Sequence, residues 1–140
     1  MLQRLHHIGV AVLEMEAALR TYVDLLGGCV LEREESPDLE IVFVRLGDAT
    51  LELMAPRRPG TVLERFLERR GEGLHHLAYA VEQADGALAA LSGRGLQPLD
   101  RSPRPGSGGS RIAFFHPRSA HGVLLEIVEP APAKAEEAQP

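Results

Sequence analysis

The chain has 140 residues, 44% of them hydrophobic, which suits one compact unit or two small modules sharing a core. No apolar run approaches the ~20 residues of a membrane span, and the first residues lack the apolar stretch of a signal peptide, so a cytoplasmic protein with no membrane partner is expected. A net charge of −5, no basic stripe and no Trp argue against nucleic acid, and a single cysteine, Cys29, excludes an internal disulfide and reads as a small hydrophobe near a core.

Leu5 to Val12, LHHIGVAV, alternates as a strand does. His6, Ile8, Val10 and Val12 share one face; Leu5, His7, Gly9 and Ala11 share the other. Glu14 to Leu26 reads as a helix whose apolar stripe is Met15, Ala18, Leu19, Tyr22, Val23 and Leu26, stopped by Gly27 and Gly28. Strands are expected at Val30 to Arg33, Glu40 to Leu46 and Thr50 to Met54, with turns at Ser36-Pro37-Asp38 and Gly47-Asp48. The order is β-α-β-β-β. Thr61 to Glu64 fits a capping box that opens a short linker helix.

The grammar then repeats. Leu74 to Val81, LHHLAYAV, keeps five of the eight residues of the first phrase at an offset of 69. A helical stripe, Ala84, Ala87, Leu88 and Leu91, ends at Gly93 and Gly95. Leu96 to Arg101 corresponds to Val30 to Arg33, and strands Arg111 to Phe115 and Gly122 to Val128 follow a Gly-rich loop. LLEIVEP echoes TLELMAP, so Glu126 matches Glu52. The expected fold is α+β: two tandem βαβββ modules, 5–56 and 74–130, joined by a linker, 57–73. They form one domain (1–130), with a curved, half-barrel-like sheet around a cleft and helices outside. A disordered tail, 131–140, is expected from its Ala, Pro and Glu content.

Strand parity selects candidate ligands. His7 lies opposite the Ile8, Val10, Val12 face, and His76 opposite Leu77, Tyr79 and Val81. Glu52 lies opposite Leu51 and Leu53, and Glu126 opposite Leu125 and Ile127. All four should point away from the helices and converge if the half-sheets curl together. Two imidazoles and two carboxylates suit a divalent metal, which also compensates buried carboxylates. The set fits Co, Zn, Mn, Ni or Fe(II) without choosing among them. His6 and His75 are expected to pack at the helix side or the rim, and His116 and His121 to serve hairpin structure.

LHHIGVAV, LELMAP, GEGLHHLAYAV, PRPGSGGSRIAFFHP and HGVLLEIVE, spread over residues 5 to about 129, resemble the vicinal oxygen chelate superfamily, and within it the methylmalonyl-CoA epimerase family. The resemblance implies paired βαβββ modules and the metal ligands His7, Glu52, His76 and Glu126. Some members carry Gln at the position of Glu52. It favours Co(II), with Zn, Mn or Ni as alternatives. It implies an acyl-CoA substrate epimerised at C2 by two carboxylates through a metal-stabilised enolate, with Glu126 as one acid and Glu40 as the other. Glu40 shares a strand face with Val42 and Val44, which is taken as support. Arg104 and Arg111 flank the Gly-rich loop and are expected to meet the CoA phosphates. A homodimer is expected from the strand edges. Glyoxalase I-type lactoylglutathione lyase chemistry, or that of another metal-dependent enzyme of the superfamily, is the alternative, and a binding protein of the bleomycin-resistance type is a third reading.

Overall fold

The computed structural model describes residues 1–133, so most of the expected disordered tail lies outside the described residues. Eleven elements follow in order: β1 (Leu5–Ala11), α1 (Met15–Leu19, continued by a π-helical Arg20–Leu25), β2 (Cys29–Glu35), β3 (Leu39–Leu46), β4 (Ala49–Pro56), α2 (Val62–Arg70), β5 (Gly73–Ala80), α3 (Ala84–Gly93), β6 (Arg104–Pro105), β7 (Arg111–Phe115) and β8 (Leu125–Glu129). The fold is α+β. The eight strands form one sheet, ordered β2-β3-β4-β1-β5-β8-β7-β6, curled into a half-barrel. β1 runs parallel to β4 and β5 parallel to β8, while β1 and β5 meet antiparallel at the centre. That central pair relates the two repeats by an approximate two-fold axis. Among the described residues no helix is long and apolar enough to cross a membrane.

The outer face of the sheet carries the core. Val10, Val12, Val42, Val44, Leu51, Leu53 and Ala55 pack on Met15, Ala18 and Leu19 of α1. Val81, Ala113, Phe115 and Ile127 pack on Ala84 and Leu88 of α3. β-Branched residues dominate the strand side of the first cluster, as a pleated buried surface favours. α2 closes one end, setting Leu63 and Leu67 on Ala11 and Met54. The Thr61 hydroxyl accepts from Glu64 N–H at 3.1 Å, and Glu64 Oε2 accepts from Gly60 N–H, so the reciprocal cap is displaced by one residue.

Four sequence expectations need correction. The first helix does not hold one stripe: Leu26 N–H reaches back five residues to the Thr21 carbonyl, and that π turn leaves Leu25 and Leu26 exposed. Cys29 is exposed rather than core-facing. Leu96 to Arg101 is not a strand. Pro98 makes one isolated bridge to Phe115, and the outer strand of the second repeat shrinks to Arg104–Pro105. Pro98, Pro103 and Pro105 lack the amide donors that a longer ladder needs.

The fourth concerns the histidine doublets. Strict alternation would send His6 and His75 to the helix face. In the β1–β5 ladder Leu5 pairs with Tyr79 and His7 with Ala78, so His6 is extra; Gly9 pairs with His76 and Val10 with Leu74, so His75 is extra. Each doublet is a β-bulge, which re-aims the bulged side chain. Both histidines of both doublets therefore line the inner face.

Candidate metal centre

Register decides what lines the inner face. Phe43 pairs with Glu52, Phe114 with Glu126, and Gly9 with His76, and residues paired across strands share a face. The resulting cleft, of about 580 Å³, has His7, Glu52, His76 and Glu126 at its floor. All four are buried. His7 and His76 face each other across the central pair, each opposite a small residue, Ala78 and Gly9. A Cβ on Gly9 would sit 2.2 Å from the His76 ring, so glycine is required there for the imidazole to fit. The His7 ring meets Phe43 edge-on at 5.7 Å and the His76 ring meets Phe114 at 5.6 Å, the same contact in each repeat.

The donor atoms are spaced for an ion. His7 Nε2 lies 3.1 Å from His76 Nε2, 3.8 Å from Glu52 Oε2 and 3.6 Å from Glu126 Oε1. His76 Nε2 lies 3.5 Å from Glu52 Oε1 and 3.4 Å from Glu126 Oε2. Ligands bound at ~2.1 Å around one ion stand about 3.0 to 3.4 Å apart. The observed edges are close to that polyhedron, and donor atoms of His7, Glu52 and His76 all lie within 4.8 Å of one another. The residues present fit a divalent cation.

Electrostatics point the same way. Burial pushes Glu52 up to about 7, with the charge of Glu34 adding to it, and burial and Glu52 push Glu126 up to about 8. Burial lowers His7 and His76 to about 3, with neighbouring histidines adding to it. Without an ion the imidazoles are therefore neutral, so their contacts with the carboxyls are not ion pairs. A divalent charge reverses this and displaces the protons.

The bulges supply a second layer. His6 Nδ1 lies 2.8 Å from His7 Nδ1, and His75 Nδ1 lies 2.9 Å from His76 Nδ1. If Nε2 of His7 and His76 is to ligate, each must donate from Nδ1, with its bulged neighbour accepting. Parity reasoning missed this. The signal available was that both histidines of the doublet repeat, not only one.

The remaining expected residues separate. Arg104 lines the cleft, lies 5.4 Å over the Phe114 ring and pairs with Asp100 at 3.0 Å. Arg111 does not line it. Arg111 shares a strand face with buried Ala113 and Phe115, and its guanidinium pairs with Asp85 at 2.7 Å on the α3 side. Glu40 is also misplaced: it pairs with Ala55, and its face-mates Val42 and Val44 pack on α1. The shared face that had been taken as support is the helix-side face. His116 caps the turn after β7 by accepting from Arg118 N–H, His121 adopts φ 56 in the same turn, and neither lines the cleft.

Besides Glu52 and Glu126, the cleft holds two other carboxylates, Glu34 and Asp38. Asp38 is tied to Arg58 by an ion pair. Glu34 has no salt-bridge partner among the described residues, and it pairs in register with Ile41 on the inner face. A Cβ on Gly108 would lie 3.9 Å from Glu34 Oε1, so the rim of the first repeat reaches the Gly-rich loop of the second over the cleft mouth.

Residues 6–114 match the Glyoxalase/Bleomycin resistance protein/Dioxygenase superfamily. The uncharacterized protein YqjC of Bacillus subtilis is 39% identical over 131 residues, spanning 92% of this chain and 94% of that one. The ethylmalonyl-CoA/methylmalonyl-CoA epimerase of Cereibacter sphaeroides is 33% identical over 131 residues, 91% and 98% of the two chains. A solved methylmalonyl-CoA epimerase in complex with methylmalonyl-CoA and NH4+ superposes with a TM-score of 0.89 at 31% identity, covering 96% and 99%.

Proposed function

The chain belongs to the Glyoxalase/Bleomycin resistance protein/Dioxygenase superfamily, and from that premise we propose that it is a metal-dependent isomerase that epimerises methylmalonyl-CoA at C2. The observation that carries this reading is a buried quartet of two imidazoles and two carboxylates, in a chain whose full-length relatives include methylmalonyl-CoA epimerases. C2 of the substrate sits between a thioester carbonyl and a carboxylate, so its proton is acidic once charge on the flanking oxygens is stabilised. A divalent ion held by His7, Glu52, His76 and Glu126 supplies that stabilisation as a Lewis acid.

The chain's own residues then move the proton. Inversion needs one acid–base group on each face of the planar carbon, because a single carboxylate cannot reach both. Glu126, on β8, serves one face. Glu34, on β2, takes the second role in place of Glu40. Support for Glu34 comes from its inner-face register, its lack of a salt-bridge partner among the described residues and its position at the cleft mouth. One carboxylate breaks the C2–H bond by accepting the proton, and the other returns a proton to the opposite face. Phe43, Phe114, Ile41 and Met54 surround the four polar side chains with apolar surface and limit water.

Co(II) is the favoured ion on the strength of the resemblance, with Zn, Mn or Ni as alternatives. The same reading has the enzyme act in the cytoplasm as a homodimer. Its support is the single cysteine and the open sheet edges at β2 and β6. Incubating one epimer of methylmalonyl-CoA with metal-loaded protein and resolving the epimers over time tests the activity. Equilibration to both epimers is expected; a substrate that stays a single epimer while the ion remains bound overturns the reading.

A further inference from the structure

A second groove, of about 710 Å³, lies beside the cleft, between α2 and the segments that lead into β5 and β8. It shares Val62, His75 and His76 with the cleft, so the two adjoin. α2 sorts its side chains by direction. Leu63 and Leu67 face the core. Arg65, Arg69 and Arg70 line the groove with Val62 and Phe66, whereas Glu64 and Glu68 do not. No Asp or Glu lines the groove, in a chain with 20 acidic residues against 15 basic ones. Among the described residues Arg65, Arg69 and Arg70 pair with no carboxylate, a property they share with other surface arginines, and Arg70 lies 5.8 Å over the Phe66 ring; what sets the three apart is that they line one groove together. In the same lining Val62 and Leu74 stand 74% exposed, and Leu99 adds further apolar surface.

This arrangement has an order: a metal-binding floor, an apolar passage, then three free guanidinium groups. A CoA thioester has a matching order: a reacting acyl group, an uncharged pantetheine arm, then a diphosphate and a 3′-phosphate. Guanidinium groups pair with phosphate oxygens in bidentate fashion. We propose that Arg65, Arg69 and Arg70 hold the nucleotide phosphates of the acyl-CoA whose acyl end lies over the metal centre. The proposal rests on the epimerase reading and adds to it a phosphate site away from the Gly-rich loop. Arg104, the cleft-facing arginine of that loop, is already paired with Asp100 and lies over Phe114.

The test compares two substrates on the double variant Arg65→Gln, Arg69→Gln, checked by thermal melting and metal content. The KM for methylmalonyl-CoA should rise about tenfold or more with kcat retained, since charged hydrogen bonds are being lost. The KM for methylmalonyl-pantetheine, which lacks the nucleotide, should not change. Free CoA, titrated calorimetrically, should bind more weakly by a similar factor. An unchanged KM for the CoA thioester, or an equal rise for both thioesters, overturns the proposal. So does conversion of a wild-type dimer to monomers, which would show that a second copy of the chain covers the groove. If the wild-type protein inverts neither thioester yet binds free CoA through these arginines, the groove stands and the epimerase reading falls.

Discussion

The two repeats agree at the centre of the sheet and differ at its edges. β1 and β5 each open with a bulged histidine doublet, and β4 and β8 each supply a glutamate faced by a phenylalanine. At the rims the likeness ends. β2 is seven residues long and brings Glu34 to the cleft; its counterpart is a two-residue strand that brings Arg104. An ion with four similar ligands has no need of asymmetry, so duplication can supply it whole. A substrate with a carboxylate on one side of its reacting carbon and a thioester on the other does need it. An acid on one rim and a cation on the other provide that difference.

Removing a central ligand should have the largest effect. On the proposed function Glu126→Ala deletes both a ligand and an acid–base group. Epimerisation should fall about 10⁴-fold or more, together with bound metal measured by atomic emission. Full metal content in an inactive variant would separate two roles that are joined here.

The rim acid comes next. Glu34→Gln should keep its metal but invert C2 about 10²-fold or more slowly. In D2O it should still exchange the C2 hydrogen of one epimer, the one whose proton Glu126 removes. Glu40→Gln, on the helix face, should leave inversion and exchange unaltered. Wild-type inversion by Glu34→Gln would remove Glu34 from the mechanism.

The bulges offer a test of the symmetric part. His6→Ala and His75→Ala should each weaken metal binding by about 10- to 100-fold, measured by competition with a chelating dye. Asp at either position, still an acceptor for Nδ1–H, should recover much of the loss. Unequal effects at the two sites would show that the central likeness is not functional.

A smaller effect concerns pH. Glu52 and Glu126 are raised to about 7 and 8, so at these two groups the metal-free fold binds more protons than the unfolded chain between about pH 4.5 and 8. His7 and His76, lowered to about 3, oppose this only below their ordinary 6.5. The metal-free protein should therefore melt at lower temperature as pH rises from 6.5 to 8.5, while metal affinity rises over the same window. A melting temperature of the metal-free protein that is flat or rising there would contradict the burial of two carboxyls.

Sequence reading reached the central strands because both of its signals act there. Alternation by two separates Glu52 from Leu51 and Leu53, and the repeat marks Glu126 as its partner. His6 and His75 escaped because one bulged residue resets parity for its own side chain only, and nothing in LHHIGVAV marks the bulge. Glu40 was drawn from the resemblance and Glu34 was overlooked for the same reason. Which face of β3 is inner depends on the helix that covers Val42 and Val44, a long-range contact. The short β6 was hidden by the expectation of a second complete module, although Pro98, Pro103 and Pro105 were visible obstacles.

The central claim is metal-dependent proton transfer at C2. The direct measurement strips the protein with chelator, restores Co(II) to one half, and mixes each half with methylmalonyl-CoA in D2O. Proton NMR then follows the C2 hydrogen against a control without protein. The signal should disappear only in the restored sample. Loss at the same rate in the stripped sample, or persistence with the ion bound, would contradict it.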